Sequence, residues 1–263
     1  ILSFRACSPY GADSYASGYH DAFFLVLDRL EETLKDKLIV WRKQQKKGLF
    51  LWKNKHEHRL QKSWVERSHV ILDLAEATAY LHSQRILHRD LKPDNIGFDH
   101  DGVLKVFDFD VARILPESLL SDDSNATFKL TKRVGSPRYM SPECARGDQY
   151  NAKADVYTFG ILCHELMSLV KPYSDMSSDQ HDALVFWKGV RPQCPTNWPV
   201  EIRSLLCSCW SEDLHFRPTM KEAQAILQKE LPKTLLAEKS QSRQRKHRDF
   251  LAPNKKPSLA ILV

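Results

Sequence analysis

No stretch of this chain is apolar for long enough to cross a bilayer. The longest strongly apolar run, Ala22 to Leu27, is six residues, whereas a spanning helix needs about 20, so no membrane span is expected. No two cysteines show the Cys-x-x-Cys spacing of a zinc or redox motif. Cys7, Cys144, Cys163, Cys194, Cys207 and Cys209 are scattered, most of them within apolar stretches, and read as reduced, buried thiols of an intracellular, cytoplasmic protein. No secretory signal pattern opens the chain, and no internal repeat recurs. Neither sign of charge dominates: 39 Lys plus Arg against 33 Asp plus Glu leave +6. That excess is too modest and too uneven to argue by itself for nucleic acid, which is not an expected partner. An initiator is missing too: residue 1 is Ile and the first methionine is Met140. The expectation is a fragment, a processed product or an incomplete gene model.

What is present suits a globular protein. The 263 residues are 42% hydrophobic and 27% charged, enough for one large domain or two small lobes around a real core. Ala22–Leu27 reads as a buried strand, and Leu30 and Leu34 after it are spaced for a helix. Residues 42–62 carry eight Lys or Arg and one acid, Glu57, with Trp41, Phe50 and Trp52 interleaved. Such a stretch can follow a phosphate backbone, but a solvated insertion with its aromatics packed on the body is the plainer reading. Val70, Leu74, Ala77 and Leu81 predict a helix over Ser63–His82. Ile96–Phe98 and Val103–Phe107 predict two strands joined by the turn Asp99-His100-Asp101-Gly102, with Gly102 free to take positive φ. Residues 116–133 are rich in Ser, Asp and Thr and read as mobile. An apolar helix is expected after Asp155, and amphipathic ones follow Pro199 and Thr219. From about Pro232 the chain is basic and polar, the composition of a disordered tail.

The chemistry concentrates in His88-Arg89-Asp90-Leu91-Lys92-Pro93-Asp94-Asn95 and in Asp108, thirteen residues past Asn95. A strand hairpin brings its two ends together, so Asn95 and Asp108 converge as two hard oxygen donors, the kind a magnesium ion with phosphates takes. Asp90, on the same loop, can face an incoming hydroxyl. Lys92 can neutralise charge on a transferring phosphoryl group. Metal, positioned hydroxyl and charge stabilisation are the parts that phosphoryl transfer needs.

Here the chain resembles the protein kinase superfamily, over roughly residues 22–230. The eight-residue loop matches the family's catalytic-loop signature throughout. Four marks follow in the family's order: Gly135-Ser136-Pro137-Arg138-Tyr139-Met140, similar to the substrate-docking loop of serine/threonine kinases; Ser141-Pro142-Glu143; Asp155-Val156-Tyr157-Thr158-Phe159-Gly160; and Arg217-Pro218-Thr219. The resemblance implies an α+β protein kinase-like fold, with a mostly helical larger lobe and only the last strands of the smaller one. Residues 1–30 would be the remnant of the smaller lobe and the hinge, 31–230 the larger lobe with its basic insertion near 42–62, and 231–263 the basic tail. Ile1–Ala6 fits the strand before the hinge strand.

The resemblance also implies roles. Asp90 would be the catalytic base, and Lys92 would contact the γ-phosphate of ATP, a feature of serine/threonine rather than tyrosine acceptors. Asn95 and Asp108 would hold Mg2+. Asp28 and Leu30 would meet adenine through their backbone groups. Arg89 would pair with a phosphate on the segment Asp108–Glu143, where Ser121, Ser124, Thr127 and Thr131 are the candidate sites. Glu143 and Arg217 would form a buried ion pair, and Asp155 would hold the catalytic loop from below. His88 and Phe109 read as packing residues, Asp94 and Asp99 as turn residues, and Arg138 as an exposed loop arginine.

Three departures shape the expectation. The family's glycine-rich loop, its Val-Ala-Ile-Lys lysine and the helix glutamate that pairs with it find no counterpart, so this chain on its own is expected to show little kinase activity. Asp110 stands where the family has glycine, which removes freedom at positive φ and adds charge, altering switching more than catalysis. Gly97 stands where a larger apolar residue floors the adenine pocket, which weakens nucleotide affinity. The leading expectation is a serine/threonine kinase of the tyrosine-kinase-like group acting on a protein substrate. The alternatives are a pseudokinase scaffold and, behind it, a small-molecule phosphotransferase.

Overall fold

The stretch after Asp155 has no polar face to offer water, and it becomes the buried centre of the molecule. The computed structural model describes residues 4–7, 25–48, 53–116 and 126–230. Helices are numbered here in chain order: α1 (Leu34–Gly48), α2 (Lys53–Ser83), α3 (Pro142–Arg146), α4 (Lys153–Ser168), α5 (Ser178–His181), α6 (Val200–Cys209) and α7 (Met220–Glu230). In α4 every residue from Lys153 to Met167 is buried. Helix α6 packs on it through Ile202, Leu205, Leu206 and Cys209. That approach depends on Gly160, where a Cβ would lie 2.8 Å from the Cβ of Cys209. Helix α2 lies against both α4 and α7 with Val70, Ile71, Leu74, Ala75 and Leu81 in the core. Buried Arg67 donates to the carbonyls of Leu166 and Met167, two acceptors that the end of α4 leaves unpaired. Burial lowers the Arg67 guanidinium to a pKa of about 10.

Helix α2 starts ten residues before the expected Ser63. Residues 42–62 supply the end of α1 and the beginning of α2 on either side of residues 49–52. No proline interrupts Leu34–Ser83, and Lys, Arg, Gln and Glu are good helix formers, so the basic composition favours helix over loop. Trp41 is packed into the core and donates through Nε1 to Glu66 at 3.1 Å. Phe50 and Trp52 lie outside the described residues. Leu34 begins α1, but Leu30 precedes a strand. The start of the helix is fixed at Thr33, whose N–H donates to the Asp36 carboxylate while its hydroxyl accepts the Asp36 N–H.

The strands are short: β1 (Phe4–Cys7), β2 (Leu25–Leu27), β3 (Glu32–Thr33), β4 (Ile86–Leu87), β5 (Ile96–Phe98), β6 (Leu104–Val106) and β7 (Arg113–Ile114). β1 pairs antiparallel with β2, β4 with β7, and β5 sits between β3 and β6. The β5–β6 hairpin places Ile96 opposite Val106. In its turn, Asp99 Oδ1 accepts the N–H groups of Asp101 and Val103, and Gly102 takes φ 69°. The result is α+β and mostly helical. No described helix is long and apolar enough to cross a membrane. Cys144, Cys163, Cys194, Cys207 and Cys209 are free thiols. The tail 231–263 and Ser121 and Ser124 fall outside the described residues.

Candidate active site

The loop between β4 and β5 is anchored from beneath by one carboxylate. Asp155, at the start of α4, accepts the backbone N–H of His88 at 2.8 Å and that of Arg89 at 2.9 Å, and contacts His82 Nε2 at 3.1 Å. Burial alone would raise its pKa, but the His82 hydrogen bond and charge, with His88, outweigh burial and hold it below the usual carboxylate value. His88 is fully buried and tilted against Phe109, 4.8 Å between ring centroids. The Asp90 N–H donates to its Nδ1 at 3.3 Å, so Nε2 carries the proton that reaches the Phe107 carbonyl at 3.1 Å. Both rings therefore pack, and His88 also ties the loop to the far strand of the hairpin.

Above this anchor the Asp90 carboxylate is held on both oxygens. Oδ2 accepts from Lys92 Nζ at 2.7 Å and from Asn95 Nδ2 at 3.0 Å; Oδ1 accepts the Ser136 backbone N–H at 2.8 Å. Asn95 Nδ2 also donates to the Asp90 carbonyl at 2.9 Å, which commits the amide nitrogen and leaves Oδ1 as a free acceptor. Pro93 opens the tight turn Pro93–Asn95 that delivers Asn95 to β5. Asp94, in that turn, pairs with Lys35 at 2.6 Å.

Across the hairpin, the Phe107 N–H bonds the Asn95 carbonyl at 3.1 Å, so Asp108 follows directly on the residue paired with Asn95. Asp108 takes φ 64°, is exposed and has no hydrogen-bond or ion-pair partner among the described residues. The left-handed backbone thus falls on Asp108 and not on Asp110, which lies in an exposed turn without positive φ. The glycine expected at 110 is not needed in this conformation. An open carboxylate and an amide oxygen on adjoining strand ends are a donor set that fits a hard divalent cation.

Leu30 and Gly97 meet. A Cβ on Gly97 would lie 2.7 Å from Leu30 Cδ1 and 3.2 Å from Phe107 Cε1. The space that Gly97 leaves is therefore filled by Leu30 and is not an empty floor. Leu30 itself lies in the irregular stretch between β2 and β3, half-buried, and its backbone N–H and C=O enter no backbone hydrogen bond among the described residues. Asp28 shares that stretch.

Arg89 also has φ in the left-handed region, 68°. Its Nε donates to the Val111 carbonyl at 2.6 Å and its Nη1 to the Tyr150 hydroxyl at 3.2 Å. That hydroxyl donates onward to the Thr131 carbonyl at 2.8 Å. Burial pushes the Tyr150 phenol up to about 12. Thr127 and Thr131 lie on the segment that pairs with Tyr150 through the Phe128 bridge. Glu143 and Arg217 form a two-pronged pair at 2.7 and 2.9 Å, with both side chains buried. Arg217 is completed by the carbonyls of Ser211 and Lys153.

Several residues of this site carried no role in the sequence reading. Gly135 and the Ser136 N–H fall within the docking-loop motif, but only the fold shows that they touch Asp90. Arg138 is half-buried and donates to the Pro172 carbonyl, a correction to the exposed-arginine expectation. Glu165 is buried, accepting from Arg42 Nη2 at 2.5 Å and from the Tyr139 hydroxyl at 2.7 Å. A carboxylate in the last turn of a largely apolar helix is the signal available for Glu165.

Residues 26–227 match the family described as protein tyrosine and serine/threonine kinase. A probable serine/threonine-protein kinase of Dictyostelium discoideum is 32% identical over 172 residues, covering 65% of this chain and 18% of that relative. Serine/threonine-protein kinase STY17 of Arabidopsis thaliana is 36% identical over 153 residues, covering 58% of this chain and 25% of the relative. A probable LIM domain-containing serine/threonine-protein kinase of Dictyostelium discoideum is 35% identical over 157 residues, covering 60% of this chain and 23% of the relative. The matched stretch is a quarter or less of each of these proteins.

Proposed function

Since the chain belongs to the protein tyrosine and serine/threonine kinase family, we propose that it carries the catalytic lobe of a serine/threonine kinase that moves the γ-phosphate of ATP to a protein hydroxyl. The observation that carries this reading is the Asp90 carboxylate, oriented by Lys92, Asn95 and the Ser136 N–H at the mouth of the hairpin. In this role Asp90 accepts the proton of the acceptor hydroxyl as its oxygen becomes the nucleophile. Lys92, 2.7 Å from Asp90, supplies positive charge beside that oxygen and beside the phosphoryl group. Asn95 through Oδ1 and Asp108 through its carboxylate would hold Mg2+, which when bound neutralises phosphate charge. Leu30 and Asp28 would present backbone groups to adenine. Asp155, Glu143 and Arg217 keep the loop and the segment after it in place and touch no reactant. Arg89 would answer a phosphate on the segment Asp108–Glu143. A cytoplasmic location belongs to the same reading and is supported by the free thiols.

A scaffold without phosphotransfer is the competing reading. Asp90, Lys92, Asn95 and Asp108 are all present, and a scaffold has no use for that set. The test is phosphate transfer from labelled ATP to a serine/threonine protein substrate by the full-length gene product. Asp90→Ala and the near-isosteric Asp90→Asn should each reduce turnover by about 10²–10⁴-fold with the native fold retained. Undiminished turnover in both variants would remove Asp90 as the base.

A further inference from the structure

The acids of the segments that meet at Asp90 are paired from within the chain, whereas the open carboxylate of Asp108 faces the proposed cation. Two segments meet at Asp90, the loop His88–Asn95 and the segment Lys129–Met140 that reaches it through Ser136, and a third, Glu165–Tyr173, backs the second through Tyr139 and Arg138. The first holds two carboxylates. Asp90 is paired with Lys92 and Asp94 with Lys35. The second, Lys-Leu-Thr-Lys-Arg-Val-Gly-Ser-Pro-Arg-Tyr-Met, contains four cations and no acid. The third contains Glu165, buried under Arg42, and the exposed Lys171.

Lys35 and Arg42 stand seven residues apart on α1, two turns along one helix face. One helix thus delivers both cations, to Asp94 on one side of the site and to Glu165 on the other. Arg42 is fixed further by its Nε bond to the Leu169 carbonyl at 2.8 Å. Neither carboxylate is left to attract a cation from outside. Arg133 has Asp182 at 3.0 Å. Exposed Lys129, Lys132 and Lys171, and half-buried Arg138, have no acidic partner among the described residues. The stem of Lys132 lies along Gly147, and Lys171 adjoins Pro172, whose carbonyl holds Arg138.

We infer that this site takes protein segments in which acidic residues flank the serine or threonine, and that Lys35 and Arg42 of α1 set this preference by cancelling Asp94 and Glu165. The inference rests on the proposed acceptor position at Asp90. It concerns binding, so it can be read without phosphate transfer.

The experiment uses the full-length gene product and two labelled serine peptides, identical except that the residues flanking serine are glutamate in one and lysine in the other. Fluorescence anisotropy at low salt should show the glutamate peptide binding about tenfold tighter, an advantage that shrinks as salt screens the surface charges. Lys132→Glu combined with Lys171→Glu, both exposed positions, should abolish that advantage. Lys35→Ala breaks an exposed pair without touching the core and should raise affinity for the lysine peptide several-fold. Equal affinities, tighter binding of the lysine peptide, no binding of either peptide, or a preference unmoved by the double charge reversal would each overturn the inference. Binding of the glutamate peptide by a protein that transfers no phosphate would leave it standing and refute the kinase reading instead.

Discussion

The Ser136 N–H reaches the Asp90 carboxylate at 2.8 Å because the residue before it has no side chain. Gly135 takes φ +87°, and a Cβ there would sit 2.2 Å from the Arg89 carbonyl oxygen and 3.2 Å from Asp90 Oδ1. Two backbones meet at this point, and neither can yield as the tip of a side chain can. Gly135→Ala therefore combines left-handed strain of about 1–2 kcal/mol with overpacking of about 1–3 kcal/mol. The expected outcome is a lower urea midpoint together with a near-complete loss of phosphate transfer in the full-length gene product. Normal transfer in this variant would mean that the two loops need not touch.

Gly97 provides the contrasting case. A Cβ there meets chiefly Leu30 Cδ1 at 2.7 Å, the free end of a flexible side chain. Gly97→Ala should cost no more than about 1 kcal/mol, since Leu30 can rotate away. Its effect should fall on Leu30, the proposed adenine contact: a change in ATP affinity of the full-length gene product, measured by calorimetry, larger than the change in melting temperature. A large stability loss with unaltered nucleotide binding would show that Leu30 is locked and serves only packing.

The Glu143–Arg217 pair is fully desolvated, so removing one member strands the other. Arg217→Ala should destabilise by about 3–5 kcal/mol in urea titration while leaving nucleotide binding little changed. Replacing both, as Glu143→Met with Arg217→Leu, should recover a substantial part of that loss, because no unpaired charge remains. A double variant as unstable as Arg217→Ala would point to the Ser211 and Lys153 carbonyls, also served by Arg217, as the larger part.

The sequence carried the hairpin and its contents because short apolar runs, an Asx turn and a glycine act locally. Asp99, Gly102 and the pairing of Ile96 with Val106 need no distant partner. The same holds for α4, whose largely apolar composition leaves no polar face. Helix α2 extends ten residues ahead of its apolar face, since Lys53–Lys62 form helix on propensity without one. The Arg42–Glu165–Tyr139 network was hidden because its members are 123 and 26 residues apart and each, alone, resembles an ordinary surface or core residue. The departure from the motif at Asp110 makes no backbone demand, because the positive φ belongs to Asp108.

Two buried histidines make stability depend on pH in a stated direction. His164 contacts the Gln193 carbonyl through Nε2 at 3.0 Å, and its Nδ1 has no partner among the described residues. His181 lies between Tyr173 and Phe186, ring centroids at 5.0 and 4.9 Å, with Nε2 unpartnered among the described residues. Burial lowers both pKa values, and the charge of Arg138 lowers that of His181 further, against a smaller opposing pull from Asp182. In the unfolded chain each histidine titrates near about 6.5. Below that pH the unfolded state therefore binds protons that the folded state refuses, and stability falls as pH drops toward the folded values. Above about pH 7 both states are neutral at these positions and the contribution is constant. Urea midpoints should thus decline from pH 7.5 to pH 5.5. His164→Gln with His181→Phe should flatten that decline, whatever their effect on the midpoint at pH 7.5. A wild-type midpoint unchanged at pH 5.5 would show that these rings accept protons in place, with water or a moved carbonyl reaching Nδ1 and Nε2.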